Sequence, residues 1–231
     1  MSISEAATLP PSFFRAAAPE LAKALLGMLL VRFEPVGTEG RILEPVRVGR
    51  IVETEAYNQD DPASHSFNGP TPRTQVMFAD GGIAYVYLIY GIHHCMNVVA
   101  ESSGAGAAVL IRAMEPLLGL PAMWAARYGE RPFAANDERR VRALCDGPGK
   151  LAQAFGITVK RDNTAALNRG PLRILQPPNY TPLAANELVE GPRIGISRAT
   201  DLNWRFYAKR DAYWVSGSKI STTRSRSSIE R

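Results

Sequence analysis

The chain has 231 residues, of which 45% are hydrophobic and 21% charged, a balance that fits one globular domain with a real core. Its net charge of +5 is modest, yet five lysines leave 22 arginines among the 27 basic residues, and arginine favours bidentate phosphate contact. The two cysteines, Cys95 and Cys145, match neither a disulfide framework nor a zinc site. The longest apolar stretch, Leu21 to Val31, is broken by Lys23 and too short to span a bilayer, so composition argues against a secreted, disulfide-stapled or membrane-inserted protein.

In chain order, Pro19 opens a helix supported by Glu20, and Leu21, Leu25, Leu26, Leu29 and Leu30 read as its apolar stripe. Strand patterns follow over Val46 to Tyr57, Ile83 to Tyr90, Cys95 to Ala100 and Ala107 to Met114. They are separated by turn-rich stretches such as Asn68-Gly69-Pro70 and Ser103-Gly104-Ala105-Gly106. Helical patterns return at Pro121 to Arg127, Asp137 to Leu144 and Gly149 to Phe155, with Gly156 placed to end the last. Strands near Leu172, Arg193 and Tyr213 complete the sheet. These elements predict an α+β fold: a single domain over residues 1–217 with a curved, mostly antiparallel β-sheet core, flanking helices and a protruding β-hairpin. The Ser/Arg-rich residues 218–231, with Lys219, Arg224, Arg226 and Arg231, read as a disordered tail that is either solvated or a sequence-independent phosphate contact.

The chemistry concentrates between residues 50 and 115. Strand alternation puts Glu53, Glu55 and Tyr57 on one face and Tyr85 and Tyr87 on one face of another strand, so carboxylates, rings and His65 can converge on a flat group. Read singly, Tyr85 and Tyr87 are ordinary sheet aromatics, His65 a loop histidine satisfied by backbone, and Asn97 a strand amide. Alternation does not choose between Glu53 and Glu55 as the reacting acid. Tyr90, out of phase with Tyr87 and just before Gly91-Ile92-His93-His94, sits where a hairpin tip presents an aromatic wedge. Lys150 follows Gly147-Pro148-Gly149 at a helix start suited to a phosphate, although the full P-loop motif is missing. His93, His94 and Cys95 lack a suitably spaced fourth ligand, so no metal and no cofactor is expected.

Arg50-Ile51-Val52-Glu53-Thr54-Glu55-Ala56-Tyr57, Tyr85-Val86-Tyr87-Leu88-Ile89-Tyr90-Gly91 and Cys95-Met96-Asn97 resemble signature blocks of the alkyladenine (3-methyladenine) DNA glycosylase family. Leu110-Ile111-Arg112-Ala113-Met114-Glu115-Pro116, Gly147-Pro148-Gly149-Lys150-Leu151 and Arg193-Ile194-Gly195-Ile196 follow in the same order, so the resemblance runs from about Leu9 to Gly217. It implies a monofunctional glycosylase that flips alkylated or deaminated purines out of duplex DNA and hydrolyses the N-glycosidic bond. It selects Glu55 to hold and deprotonate the attacking water, Arg112 to orient both, and Glu53 as a structural ion-pair partner. Tyr57 on one side and His65 with Tyr87 on the other become the base-stacking walls. Asn97 becomes the group that crowds the exocyclic amine of guanine, Tyr90 the wedge, and Arg73, Lys150 and His93 contacts to the DNA. The sequence departs from the common pattern at His93 and His94, where aromatic residues often stand, and in Thr71-Pro72-Arg73-Thr74-Gln75, which keeps one arginine where some members have two.

Physical chemistry supports those assignments. Alkylation makes a purine cationic, and a cation over an electron-rich ring gains about 1–2 kcal/mol when desolvated. A carboxylate near C1′ serves both water activation and the positive charge of the sugar in the transition state. A cationic leaving base needs no acid, whereas a neutral one such as hypoxanthine does, so a bell-shaped pH profile is expected only for neutral substrates. No lysine lies in the carboxylate and tyrosine strands to form a Schiff base, so an intact abasic site is the expected product. The expected partner is double-stranded DNA containing damaged purines, bound by a monomer away from membranes, in the cytoplasm of a bacterium or the nucleus of a eukaryote. The rival readings are a module that binds damaged nucleic acid without catalysis, which would not need Glu55 and Arg112 together, and a nuclease or sugar hydrolase using Glu53 and Glu55 as an acid pair.

Overall fold

A computed structural model describes residues 3–36 and 42–217. In chain order these form β1 (Ala7–Thr8), α1 (Ala18–Ala24), β2 (Leu29–Val36), β3 (Ile42–Tyr57), β4 (Ala84–Ile89), β5 (His93–Ala100) and β6 (Ala107–Leu118). Helices α2 (Leu120–Tyr128), α3 (Glu138–Arg142), α4 (Pro148–Phe155) and α5 (Val159–Asp162) come next, followed by β7 (Leu172–Gln176), β8 (Leu188–Gly191) and β9 (Arg205–Ala208). All described pairings are antiparallel. The sheet runs β1-β7-β2-β3-β6-β5-β4, with β9 joining β3 and β8 joining β9. The expected α+β architecture and its hairpin, β4–β5, are therefore present. Among the described residues no helix is long and apolar enough to cross a membrane.

The long strand β3 organises the site. Its first part pairs with β2 and its last part with β9, while β6 runs along the other edge. Ile51 packs into the main core, and simple alternation would send Glu53 to the same side. Pairing with β6 shifts register at Ile51/Glu53 and again at Glu53/Thr54, and such irregularities re-aim the side chains that follow. Thr54 consequently turns to the helical side, where its hydroxyl donates to the Ala22 carbonyl of α1 at 2.8 Å, and Glu53 and Glu55 turn to the other.

The two faces of β4, β5 and β6 differ accordingly. Val86, Met96, Val98, Val109 and Ile111 join the main core with Leu21, Leu25 and Phe155 from the helices. Tyr85, Tyr87, Cys95, Asn97, Leu110 and Arg112 point the other way, toward a cavity. Behind β2 the fully buried Arg32 makes a bidentate pair with Asp162 of α5, at 2.7 and 2.9 Å, which ties that helix to the sheet.

Three expectations need correction. The first helix ends at Ala24 rather than continuing to Leu30, because Gly27, at φ +87°, turns the chain back and the strand β2 begins at Leu29. Leu29 and Leu30 pack into different clusters on opposite sides of the sheet, so an apolar run that mimics a helical stripe is a strand buried on both faces. The strand expected near Arg193 is β8, which stops at Gly191 and leaves Arg193 in a loop, and that expected near Tyr213 is β9, with Tyr213 in the turns beyond it. The proposed tail, 218–231, lies outside the described residues.

Candidate active site

Glu53 and Glu55 are both fully buried, which is costly for two neighbouring carboxylates unless each charge is met. Arg112, on β6, stands between them. Its Nη1 donates to Glu55 Oε2 at 3.2 Å, and its Nε lies 3.7 Å from Glu53 Oε1. Glu53 Oε1 also accepts from Arg205 Nε at 2.5 Å, and Oε2 accepts the Ser216 N–H at 2.7 Å. Two anions and two guanidiniums thus close one network.

Glu55 takes two further bonds. The Tyr57 hydroxyl donates to Oε2 at 2.8 Å and the Ile194 N–H to Oε1 at 2.7 Å. Burial, then the adjacent Glu55 charge, pushes the Tyr57 hydroxyl far above its usual range, so it remains a donor at every physiological pH. A carboxylate offers about four acceptor positions, and among the described residues three of them are taken, leaving one on Oε1 beside Ile194.

Beside this network opens a cavity of about 410 Å³, within the range of small-ligand sites. Its lining includes Tyr57, Arg112 and Asn97, the mutually contacting Tyr85, Tyr87 and His65, and Ile194 to Ile196. Glu55 is not itself in the lining, but is bonded to Tyr57 and Arg112, which are. Tyr85 and Tyr87 stack with centroids 5.5 Å apart, and His65 meets Tyr87 edge-on at 4.6 Å while its Nδ1 and the Tyr85 hydroxyl are 3.1 Å apart. Burial and the nearby Arg73 lower the His65 pKa, so the imidazole is neutral at neutral pH. Burial raises the Tyr87 hydroxyl and the Cys95 thiol, which face each other, so both stay protonated. Asn97 is buried and donates from Nδ2 to the Tyr85 carbonyl at 3.1 Å, combining the backbone bond of an ordinary strand amide with a place at the cavity.

The mouth is set by the β4–β5 hairpin. Tyr90 and Gly91 both have positive φ, +53° and +73°, and the Ile92 N–H returns to the Ile89 carbonyl, the geometry of a type I′ turn. Tyrosine in that region costs on the order of 1–2 kcal/mol, and nothing local offsets it, because Tyr90 is 85% exposed. His93 packs so closely on the start of α4 that a Cβ at Gly149 would lie 3.1 Å from its own. Arg73 is exposed with its guanidinium 5.3 Å from the Tyr87 ring centre, and Lys150 is exposed but paired with Asp146 at 2.7 Å.

The structure therefore gathers Arg112, Tyr57, His65, Tyr87 and Asn97 at one cavity, holds Glu55 behind Tyr57 and Arg112 rather than in the lining, includes Tyr90 and His93 in that lining, and leaves Arg73 and Lys150 on the surrounding surface. Sequence reasoning missed Arg193, whose guanidinium packs 4.6 Å from the Tyr57 ring centre while bonding the Ala56 carbonyl and, within a fully buried pair, Asp61. It also missed Arg205 and Ser216 as partners of Glu53. Among the described residues no group of three or more His, Cys, Asp and Glu converges as a metal site.

The sequence profile of the family described as methylpurine-DNA glycosylase (MPG) matches residues 12–212. A protein from Methanoculleus marisnigri, provisionally named a 3-methyladenine DNA glycosylase, is 46% identical over 206 residues, covering 89% of this chain and 97% of its own. One of the same provisional name from Rhodopseudomonas palustris is 48% identical over 197 residues, 85% and 82% of the two chains, and one from Nitrosospira multiformis is 44% identical over 206 residues, 89% and 91%. With a match that includes the carboxylate strand, the hairpin and the loop around Arg193, this chain belongs to the methylpurine-DNA glycosylase family.

Proposed function

We propose that this chain is a monofunctional DNA glycosylase that rotates alkylated or deaminated purines out of duplex DNA into the aromatic cavity and hydrolyses the N-glycosidic bond, leaving an intact abasic site. The observation that carries the reading is the buried network next to the cavity, where Glu55 bonds Tyr57 and Arg112, both of which line the cavity, and, among the described residues, shows one acceptor position on Oε1 without a donor. A water bound there would be polarised by Glu55, and the same negative charge would stabilise the oxocarbenium-like sugar, contributions on the order of 10²- to 10⁴-fold for base catalysis plus an electrostatic share. Arg112, bonded to Glu55 Oε2, would orient both the carboxylate and that water.

The walls fit a cationic base. Tyr57 and Tyr87 offer π faces, and the neutral His65 adds no repelling charge. Asn97, held by the Tyr85 carbonyl, is too fixed to yield to the exocyclic amine of guanine, so Asn97→Ser should raise excision of undamaged guanine. Tyr90 would fill the gap left in the stack, and Arg73, Lys150 and His93 would meet the DNA backbone around the mouth.

The test is incubation of the protein with duplex DNA carrying 7-methylguanine or hypoxanthine in the presence of a chelator. Free base should appear while the strand stays intact until alkali is added. Tight binding without released base would favour a non-catalytic binding module, and strand cleavage that appears only in a parallel incubation with divalent metal in place of the chelator would favour a nuclease.

A further inference from the structure

The stretch Tyr213–Gly217 follows the last strand and reaches back to the two carboxylates. Arg142, at the end of α3, donates from Nε to the Tyr213 carbonyl and from Nη2 to the Val215 carbonyl at 2.9 Å, and its guanidinium packs 5.6 Å from the Tyr213 ring centre. The next residue, Ser216, donates its N–H to Glu53 Oε2 at 2.7 Å, and its hydroxyl accepts from Arg112 Nε at 3.4 Å. Ser216 is itself buried.

The backbone bond to Glu53 could be made by almost any residue. The hydroxyl could not, and an unused hydroxyl would be costly to bury. It meets Arg112 at Nε, whereas Glu55 is bound at Nη1. A guanidinium gripped at a single nitrogen can swing about that contact, and a second grip at a different nitrogen fixes its plane, which is where arginine gains precision over lysine. Glu53 lies close to the same Nε but is shared with Arg205 and with the Ser216 backbone.

We infer that Ser216 is a positioning residue for hydrolysis: its hydroxyl fixes the Arg112 guanidinium in the plane that serves Glu55, and Arg142 holds the segment that carries it there. The inference rests on the reading above, in which Glu55 and Arg112 act on the attacking water. A residue of this kind changes the rate of the bound complex and leaves binding of the DNA alone.

The experiment compares full-length wild type, Ser216→Ala and Ser216→Thr for single-turnover release of 7-methylguanine from duplex DNA at saturating enzyme, alongside the affinity for a duplex holding a tetrahydrofuran abasic analogue. Ser216→Ala should slow release about tenfold, the loss expected for one hydrogen bond to a charged group, with the affinity changed by no more than about twofold. Ser216→Thr, which keeps the hydroxyl, should recover most of the rate. A Ser216→Ala chain that works at the wild-type rate overturns the role. So does equal impairment of the two variants, or a rate loss matched by an equal loss of affinity. A wild-type chain that releases no base overturns the functional reading and this inference with it.

Discussion

Ile111 and Arg112 are neighbours on β6 that live in opposite worlds. Ile111 packs among apolar side chains from α1 and α4, while Arg112 is buried between two carboxylates on the other face of the same sheet. On the first face, stability comes from apolar area removed from water, roughly 25 cal/mol per Å², and no single partner is essential. On the second, each buried charge is tolerable only because a named partner meets it, so the face contributes little net stability and is bound to a particular geometry. One sheet thus sets an apolar core on one face and a buried charge network on the other, kept apart by alternation along β6 and by the shifts of register along β3.

The sharpest way to break that separation is Glu55→Gln. If the site face carries the chemistry, single-turnover base release should fall by about 10²- to 10⁴-fold, while affinity for an abasic-analogue duplex persists. Loss of turnover in Glu53→Gln with a wild-type rate in Glu55→Gln would mean the two carboxylates have been assigned the wrong way round. On the opposite face Ile111→Ala should remove about 2–5 kcal/mol of stability in urea unfolding, yet leave the rate of the folded protein unchanged. A normal unfolding midpoint with a crippled rate would show that the faces are not independent.

How much of this was legible in the sequence follows the same divide. The strands β4, β5 and β6 read directly because aromatic or polar residues alternate with aliphatic ones, whereas the choice of Glu55 over Glu53 on β3, and of Arg112 on β6, came only from the family resemblance. Leu29 and Leu30 misled because a strand buried on both faces has no period to read, and only Gly27 marked the break. The phase change in β3 is invisible in sequence, since a bulge depends on the partner strand's register. Arg193 and Ser216 reach the site from loops, by contacts spanning more than 130 residues, and no local pattern encodes those. The motif Arg193-Ile194-Gly195-Ile196 did carry a signal in Gly195, whose φ of +79° suits a turn rather than the strand expected there.

The hairpin tip belongs to neither face, and a pair of substitutions separates its two properties. Tyr90→Ala and Tyr90→Gly both delete the exposed ring, but only glycine relieves the left-handed backbone. Tyr90→Gly should therefore be the more stable by about 1 kcal/mol, a difference that urea unfolding measures. If the ring serves extrusion and not bond cleavage, as proposed, both should slow release from duplex DNA far more than from an unpaired, already unstacked lesion. Equal slowing on both substrates would remove Tyr90 from the extrusion step and leave its strained backbone without a function.

The smallest expected effect concerns His65, where the site face meets solvent. Burial, then Arg73, depresses its folded pKa below the ordinary value of about 6.5, so between the two values the unfolded chain binds the proton more readily than the native one. The neutral imidazole's contribution to stability is therefore complete above about pH 6.5 and is lost as pH falls through the depressed native value. His65→Asn, which keeps a polar group for the Tyr85 hydroxyl but cannot titrate, should flatten that part of the curve of melting temperature against pH between pH 8 and 5. In the wild type the same protonation places a cation beside the cavity, so release of cationic 7-methylguanine should decline there more steeply than in the variant. Superimposable curves for wild type and His65→Asn would show that the imidazole titrates as it does in water, and that the walls owe their preference for a cation to the tyrosines alone.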